Sequence, residues 1–126
     1  MVAIFCEKML SGKQPIINGD GKQTRDYVYV GDVVEANILA IQYSSSNVFN
    51  IGTGRETDVN TIFRILRDNL SPTCAEQHGP AKAGEQLRSV ISYSKTQTEL
   101  GWNPIVSLEE GLVKTAEFFR QKYTHK

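Results

Sequence analysis

Residues Asn18–Ala36 read NGDGKQTRDYVYVGDVVEA, and the interpretation of the whole chain starts from this stretch. Two glycines that bracket an aspartate favour a tight turn, because glycine adopts positive φ values without steric cost. The β-branched and aromatic residues at 26–30 then predict a short strand. Asp32, with Glu35 three positions later, is typical of a capping box that opens a helix. The stretch therefore predicts a turn, a strand and a helix in succession, and it places one arginine, Arg25, where the turn meets the strand.

The same kinds of pattern on both sides of this stretch predict a mixed α/β class. Residues 1–126 have the length of one domain and show no internal repeat. We predict about five helices, over residues 1–10, 32–41, 57–70, 94–100 and 107–123. Short strands are predicted at 15–18, 26–30, 47–52 and 89–93, and a long loop is predicted from Pro72 to Gly84.

Some of the predicted helices carry further expectations. The helix at 32–41 is apolar on most of its sides, which is typical of a buried helix. Thr57 is the predicted N-cap of the third helix, and Gly101 is predicted to end the fourth. Ser107 and Glu110 repeat the capping-box spacing where the last helix begins.

The composition excludes several classes of function. The 14 basic and 14 acidic residues balance to a formal net charge of zero, so nothing indicates binding to nucleic acid or to an anionic membrane. Cys6 and Cys74 lie far apart, and neither has the Cys or His neighbours of a zinc site, so both are expected to be free thiols. No signal sequence and no apolar segment of membrane-spanning length is recognisable, so we expect a cytoplasmic protein.

Arg25 is the candidate binding residue of the opening stretch, and two interpretations of it stay open. A guanidinium at the exit of a glycine turn can hold a phosphate group through two parallel hydrogen bonds. It can equally form a structural ion pair with Asp20, Asp26 or Asp32, because conspicuous charges are often structural. From the residues alone, the two interpretations have equal weight.

The other chemical motifs favour structural interpretations. GTGRET at 52–57 has the setting of a dinucleotide-binding loop, but it lacks the third glycine and the later acidic residue that binds the ribose, so its glycines are expected to turn the chain. His78 and His125 have no serine or cysteine nucleophile placed beside them. Tyr27 and Tyr29 are not followed by a lysine four residues later. We therefore expect surface histidines and packed tyrosines.

Three segments of the chain resemble one protein family: GDGKQTRDYVYVGDVVEANILA, FNIGTGRETDVNTIF and AGEQLRSVISYSKTQTELGWNPIVSLEEGL. In this order and at this spacing they resemble the C-terminal part of the NAD-dependent nucleotide-sugar epimerases and dehydratases, which are extended short-chain dehydrogenases/reductases. The resemblance covers essentially the whole chain. It implies the C-terminal portion of that fold, with the N-terminal Rossmann half absent, and a domain that closes over the nucleotide of a UDP-sugar or a related sugar nucleotide.

The resemblance also implies a set of substrate-binding residues. Arg25 matches the family arginine that contacts the diphosphate, in a G-x-x-x-R-D-[YF] pattern. Ile16 and Asn18 belong to the segment whose backbone follows the base, with uracil as the common case. Lys82 stands where the family has a second phosphate-binding arginine, and looser binding is expected because lysine lacks the planar fork. Glu85 matches the carboxylate that accepts the ribose hydroxyls.

No catalysis by this chain alone is implied. The family's cofactor loop, G-x-x-G-x-x-G, and its Tyr-x-x-x-Lys group do not occur in the sequence, so NAD is expected in full-length relatives and no cofactor is expected in this chain. The first hypothesis is therefore a sugar-nucleotide-binding region without activity of its own. The alternatives are an inactive truncated product and a free-standing interaction module, in which a former inter-domain face around 1–10 and 33–41 would support a homo-oligomer.

Overall fold

The computed structural model describes residues 1–43, 47–84 and 87–124, and within them the chain forms five helices and two small sheets. The helices are α1 (Val2–Leu10), α2 (Val30–Ile41), α3 (Val59–Leu70), α4 (Ser94–Leu100) and α5 (Leu108–Thr124). The strands are β1 (Ile17–Asn18), β2 (Thr24–Arg25), β3 (Thr57–Asp58) and β4 (His78–Gly79). The predicted mixed α/β class with about five helices is confirmed.

Each sheet is a pair of two-residue strands that joins distant parts of the chain. β1 pairs with β4 in parallel, and β2 pairs with β3 in antiparallel fashion. The facing residues are Ile17 with His78 and Asn18 with Gly79 in the first pair, and Thr24 with Asp58 and Arg25 with Thr57 in the second. The first pair holds β1 beside the segment that continues to Lys82.

The core lies between α1, α3 and α5, because each of these helices presents one apolar face. α3 packs against both of the others. Phe5 of α1 and Phe63 of α3 meet edge to face with ring centroids 5.5 Å apart, a geometry that the charge distribution of aromatic rings favours. The buried cluster consists of Phe5, Cys6, Met9, Ile17, Val59, Ile62, Phe63, Leu66, Leu112 and Ala116. Because Ile17 belongs to this cluster, the core also fixes the position of β1.

Several local signals act as predicted. The Ser107 hydroxyl accepts a hydrogen bond from the Glu110 N–H at 3.1 Å, which caps the start of α5. Gly101 ends α4 in the left-handed region with φ of 69°, where residues with a side chain are strained. Cys6 and Cys74 are both free thiols. At Ser107 and Gly101 the sequence signal and its effect are separated by only a few residues.

Three strand predictions are wrong. In the described part of the chain, residues 26–30, 47–52 and 89–93 belong to no strand, and the last of the residues at 26–30 already belongs to α2. A strand exists only where another strand pairs with it, and composition alone does not supply that partner. The Ile91 N–H, for example, donates to the Asp26 carboxylate at 3.1 Å. β4, in contrast, lies inside the stretch that was predicted to be a loop.

The predicted cap of α3 is wrong by one residue. Thr57 is paired in β3, so its position is fixed by the sheet. Asp58 caps the helix instead, since its Oδ1 accepts a hydrogen bond from the Thr61 N–H at 2.8 Å. The helix itself spans the predicted range closely.

The capping box predicted at the start of α2 is also wrong. α2 begins at Val30, two residues before Asp32, and has no side-chain cap. The Asp32 carboxylate, which is almost fully buried, accepts hydrogen bonds from the N–H groups of Ile105 and Val106 at 3.2 and 3.1 Å. Asp32 therefore fixes a distant loop, and the spacing to Glu35 has no capping role.

α2 is largely exposed, contrary to the expectation of a buried helix. Its side towards α4 buries Asp32 and Ala36. On its other side lies a row of apolar side chains with 65%, 50%, 45% and 84% exposure: Val30, Val34, Ile38 and Ile41. Their spacing of four, four and three residues places them on one side of the helix. We call this row the α2 stripe. Neither α2 nor any other described helix has the length and hydropathy needed to cross a membrane.

Candidate functional site

A cleft of about 440 Å³ lies beside α1 and β1. Its lining residues are Met1, Ile4, Phe5, Lys8, Ile16, Asn18, Gln23, Val59 and Lys82. Ile16, Asn18 and Lys82 are three of the substrate-binding residues implied by the family resemblance. The structure thus brings residues from distant parts of the sequence together around one cavity.

β1 presents one edge of its backbone to this cleft. The N–H groups of Ile17 and Gly19 donate to the carbonyl oxygens of Gln77 and Gly79, each at 2.9 Å. Since the N–H groups of successive strand residues point to opposite edges, the backbone of Asn18 is turned away from β4. The Asn18 N–H at this edge can donate to an acceptor on the polar edge of a planar base, while the Asn18 carbonyl accepts a hydrogen bond from the side chain of Gln23.

β1 and β4, with the residues that directly flank them, form one wall of the cleft, and glycines allow these two sides of the wall to approach closely. A Cβ atom on Gly79 would lie 2.9 Å from Cγ2 of Ile16. A Cβ atom on Gly19, where φ is +64°, would lie 3.2 Å from Cβ of Ala81. Both distances are shorter than ordinary van der Waals contact, so side chains at these glycines would push the strands apart. The close approach brings Lys82, the residue after Ala81, into the cleft.

The described lining of the cleft carries two positive charges, Lys8 and Lys82, and no acidic residue. Gln23 is 7% exposed, and its Nε2 donates to the Asn18 carbonyl at 3.1 Å, which fixes the end of β1. Sequence reasoning missed both Lys8 and Gln23. Lys8 follows Ile4 by one helical turn, so both face the cleft, but a lysine on an amphipathic helix usually marks only its solvated side.

Arg25 lies in β2 and is half-buried. Gln23, two residues earlier, lines the cleft, but Arg25 is not one of the described residues that line it. Nη1 of Arg25 donates to the Thr24 carbonyl at 2.6 Å. Asp26 and Asp32, two of its predicted structural partners, accept hydrogen bonds from backbone N–H groups of other segments. Whether Arg25 binds phosphate or forms a structural pair stays a prediction.

An ion pair fixes β2 against the segment that follows Lys82. Nε and Nη2 of Arg88 donate to the two carboxylate oxygens of Glu56 at 2.9 and 2.7 Å. The Thr24 hydroxyl also donates to Glu56, and the Thr24 N–H donates to the Leu87 carbonyl at 2.9 Å. The Arg88 hydrogen bonds hold the pKa of the Glu56 carboxyl below its usual range. Glu85 lies outside the described residues, so its predicted contact with a ribose stays a prediction.

The GTGRET loop does not fit a dinucleotide. The N–H groups of Thr53 and Gly54 donate to the Asp26 carboxylate at 2.9 Å each, and the Thr53 hydroxyl donates to it at 2.6 Å. The loop donors that would bind a pyrophosphate are thus used by an internal carboxylate, whose negative charge would repel one. The described residues also contain no cluster of His, Cys, Asp and Glu side chains able to hold a metal ion.

Comparison with known proteins places the whole arrangement in one family. The model of a family described as GDP-mannose 4,6 dehydratase matches residues 1–115. A putative UDP-glucose 4-epimerase of Methanocaldococcus jannaschii is 38% identical over 120 residues, which are 95% of this chain and 39% of that protein. The chain therefore spans about two fifths of the length of such relatives.

Solved structures give the same result for the fold. The UDP-glucose 4-epimerase of Thermotoga maritima with UDP-glucose is 48% identical with a TM-score of 0.91, over 97% of this chain and 40% of that one. The Thermus thermophilus UDP-glucose 4-epimerase in complex with NAD is 35% identical with a TM-score of 0.82, over 94% of this chain and 39% of that one. This chain belongs to the NAD-dependent nucleotide-sugar epimerase and dehydratase family and has the fold of the C-terminal part of its members.

Proposed function

We propose that the chain binds the nucleoside diphosphate portion of a sugar nucleotide, with a UDP-sugar as the first candidate, in the cleft beside α1 and β1. The backbone at Ile16 and Asn18 receives the base, Arg25 and Lys82 bind the diphosphate, and Glu85 accepts the ribose hydroxyls. The observation that carries the proposal is the convergence of a strand edge and Lys82 on one cavity, although they are far apart in sequence.

Two further facts support this assignment. A structural relative with 48% identity was solved with UDP-glucose. The described lining of the cleft also has two lysines without a compensating acid, which favours a ligand with two negative charges. Lys8 is an additional positive charge beyond the family residues, and it partly offsets the loss of the second arginine at position 82.

Catalysis is assigned to the complete family fold. Hydride transfer requires bound NAD, and neither the cofactor loop nor the Tyr-x-x-x-Lys group occurs in these 126 residues. We expect this chain, mixed with NAD and UDP-glucose, to form no epimerised or dehydrated product. Product above the background of a no-protein control would contradict the assignment.

Binding is tested by isothermal titration of the purified chain with UDP-glucose. Arg25→Ala is expected to weaken binding about thirtyfold, because a charge-assisted contact contributes about 2 kcal/mol. Lys82→Ala is expected to weaken it about fivefold, since this side chain is exposed, and Lys82→Arg is expected to strengthen it by restoring the planar fork. Lys114→Ala is the matched control, because Lys114 pairs with Glu110 on α5, away from the cleft. Equal affinities for all five proteins would refute the site.

A second candidate function is self-association through the α2 stripe. The specific observation is that four apolar side chains lie exposed in one row, and large exposed apolar patches mark association sites. Two copies would bury these rows against each other, and a net charge of zero opposes association little.

Sedimentation velocity over a range of concentrations tests this second function. The chain is expected to sediment as a dimer, and Ile38→Glu is expected to return it to a monomer. Val113→Glu on α5 is the matched control, since Val113 is 46% exposed and Ile38 is 45% exposed. A monomer at every concentration would exclude self-association and leave the nucleotide proposal unaffected.

A further inference from the structure

The imidazole of His78 forms a bridge between the two sides of the cleft wall. Its Nδ1 lies 2.8 Å from the Gly19 carbonyl oxygen, directly after β1, and its Nε2 lies 3.3 Å from Oε2 of Glu76. Glu76 is itself fixed by α3, since Arg64 donates to both of its carboxylate oxygens at 2.8 and 3.1 Å. His78 belongs to β4, so its side chain adds a second connection to the backbone pairing of β4 with β1.

Both partners of this imidazole are acceptors. A carbonyl oxygen cannot donate, and the Glu76 carboxylate is ionised because Arg64 and His78 lower its pKa to about 2. A neutral imidazole has one N–H, so either tautomer would turn a ring lone pair towards an oxygen. Only the imidazolium satisfies both contacts.

The charged groups around the ring are consistent with an imidazolium at His78. The charged groups that face His78 are Glu76, from the segment before β4, and Arg64, from α3. The Gly19 carbonyl and the Glu76 carboxylate raise the pKa of His78, while Arg64 and partial burial oppose the rise. Arg64 opposes it only in part, because its guanidinium is already paired with Glu76.

We propose that His78 is a positioning residue that makes the nucleotide affinity of the cleft depend on pH. The imidazolium holds the turn after β1 against β4, and this contact fixes the strand edge at Asn18 and the approach of Ala81 and Lys82. When the imidazole loses its proton, one of its two contacts is lost and the wall loosens. The inference rests on the proposed nucleotide-binding function.

The imidazolium is the form of His78 that satisfies both contacts, so affinity is expected to be higher at low pH than at high pH. Affinity is highest below the ordinary pKa of histidine, about 6.5, and falls as the pH rises through the elevated pKa of His78. We expect the affinity to fall about threefold. This is at the low end of what the loss of one hydrogen bond costs, because a third of the His78 side chain is exposed. Linkage is reciprocal, so bound ligand should raise the pKa of His78 by about 0.5.

The test measures the affinity for UDP-glucose from about pH 5.5 to about pH 8.5, the range in which an imidazole titrates. UDP-glucose is chosen over UDP because both of its phosphates are diesters that stay fully ionised throughout. His78→Asn is the conservative variant, since its amide can donate to the Gly19 carbonyl at every pH. His78→Ala removes both contacts. We expect affinity to fall with pH in the wild type. His78→Asn is expected to be flat at the level of the wild type at high pH, because both then keep only the Gly19 contact, and His78→Ala is expected to be flat and weaker still.

An imidazole NMR titration gives a second readout that a purely structural role would not change. The chain has two histidines, so His125→Gln leaves one imidazole signal to follow with and without UDP-glucose. A ligand-induced rise of the His78 pKa supports the proposal. The proposal for His78 is overturned if binding has the same pH profile in all three proteins, or if the pKa of His78 does not change when the ligand binds. In either case the proposed nucleotide-binding function stands. No binding at any pH overturns both.

Discussion

Asp26→Ala is expected to lower the free energy of unfolding by about 3 kcal/mol, because a single carboxylate holds three segments together. It accepts hydrogen bonds from the N–H groups of Thr53 and Gly54 at 2.9 Å and of Ile91 at 3.1 Å, and from the Thr53 hydroxyl at 2.6 Å. Hydrogen bonds to a charged group contribute about 1.5 to 3 kcal/mol each, but these groups are only half-buried, so water replaces part of the loss. The expected total is therefore nearer one or two such bonds than four.

The assay is thermal unfolding followed by circular dichroism. A loss of about 3 kcal/mol lowers the Tm of a domain of this size by about 10 °C. Asp26→Asn is expected to fall between wild type and alanine, because its amide keeps one acceptor oxygen but turns a donor towards the N–H groups. Asp20→Ala is the matched control, since Asp20 accepts one exposed hydrogen bond, from the Lys22 N–H at 2.9 Å. If Asp26→Ala unfolds within about 2 °C of Asp20→Ala, the reasoning about Asp26 is wrong.

Two further predictions concern the packing around the core. The Tm of Gly21→Ala should be well below that of Gly12→Ala, because a Cβ atom at position 21 would lie 1.9 Å from Oδ1 of Asn60. Gly12 is the control, since it has the same left-handed backbone but nothing within 4 Å of an added Cβ atom. Equal Tm values for the two variants would contradict the prediction. Alkylation should modify Cys74 quickly and Cys6 slowly, since burial raises the pKa of the Cys6 thiol to about 11, and mass spectrometry of partly labelled protein should show the two rates. Comparable rates in the folded protein would contradict the buried position of Cys6.

Sequence signals predict local structure well where both partners of an interaction are neighbours in the chain. Ser107 and Glu110 have the capping-box spacing and form the cap. Asp32 and Glu35 have the same spacing and do not, because the Asp32 carboxylate binds the backbone of Ile105, 73 residues away. Nothing near Asp32 in the sequence distinguishes the two cases, so the difference becomes visible only once the chain is folded.

The predictions of the strands and of a buried α2 are wrong for the same reason. β4 is only two residues long and lies among glycine and proline, so its pairing with β1 depends on a partner far away in the chain. The α2 stripe is apolar enough to predict burial, but in the described part of the chain nothing covers it. Hydrophobicity indicates that a surface favours burial, whereas the tertiary structure decides whether it is buried.

The candidate site could be outlined from the sequence because the family motifs keep their order. The family motifs predict Ile16, Asn18 and Lys82 as binding residues, and the structure groups them around one cleft. No motif indicates Lys8 or His78, because a helix lysine and a loop histidine usually belong to the solvated surface. Their positions depend on how α1 and β4 pack against β1, which no motif records.

The most direct test of the account is a titration of the isotopically labelled chain with UDP-glucose, followed by backbone amide NMR. We predict well-dispersed resonances, with ligand-induced shifts concentrated at residues 16–26 and 82–85 and little change along α5. Dispersed resonances that do not respond to the ligand would contradict the nucleotide site and would favour association through the α2 stripe. Collapsed resonances would contradict the claim that these residues form the binding domain on their own.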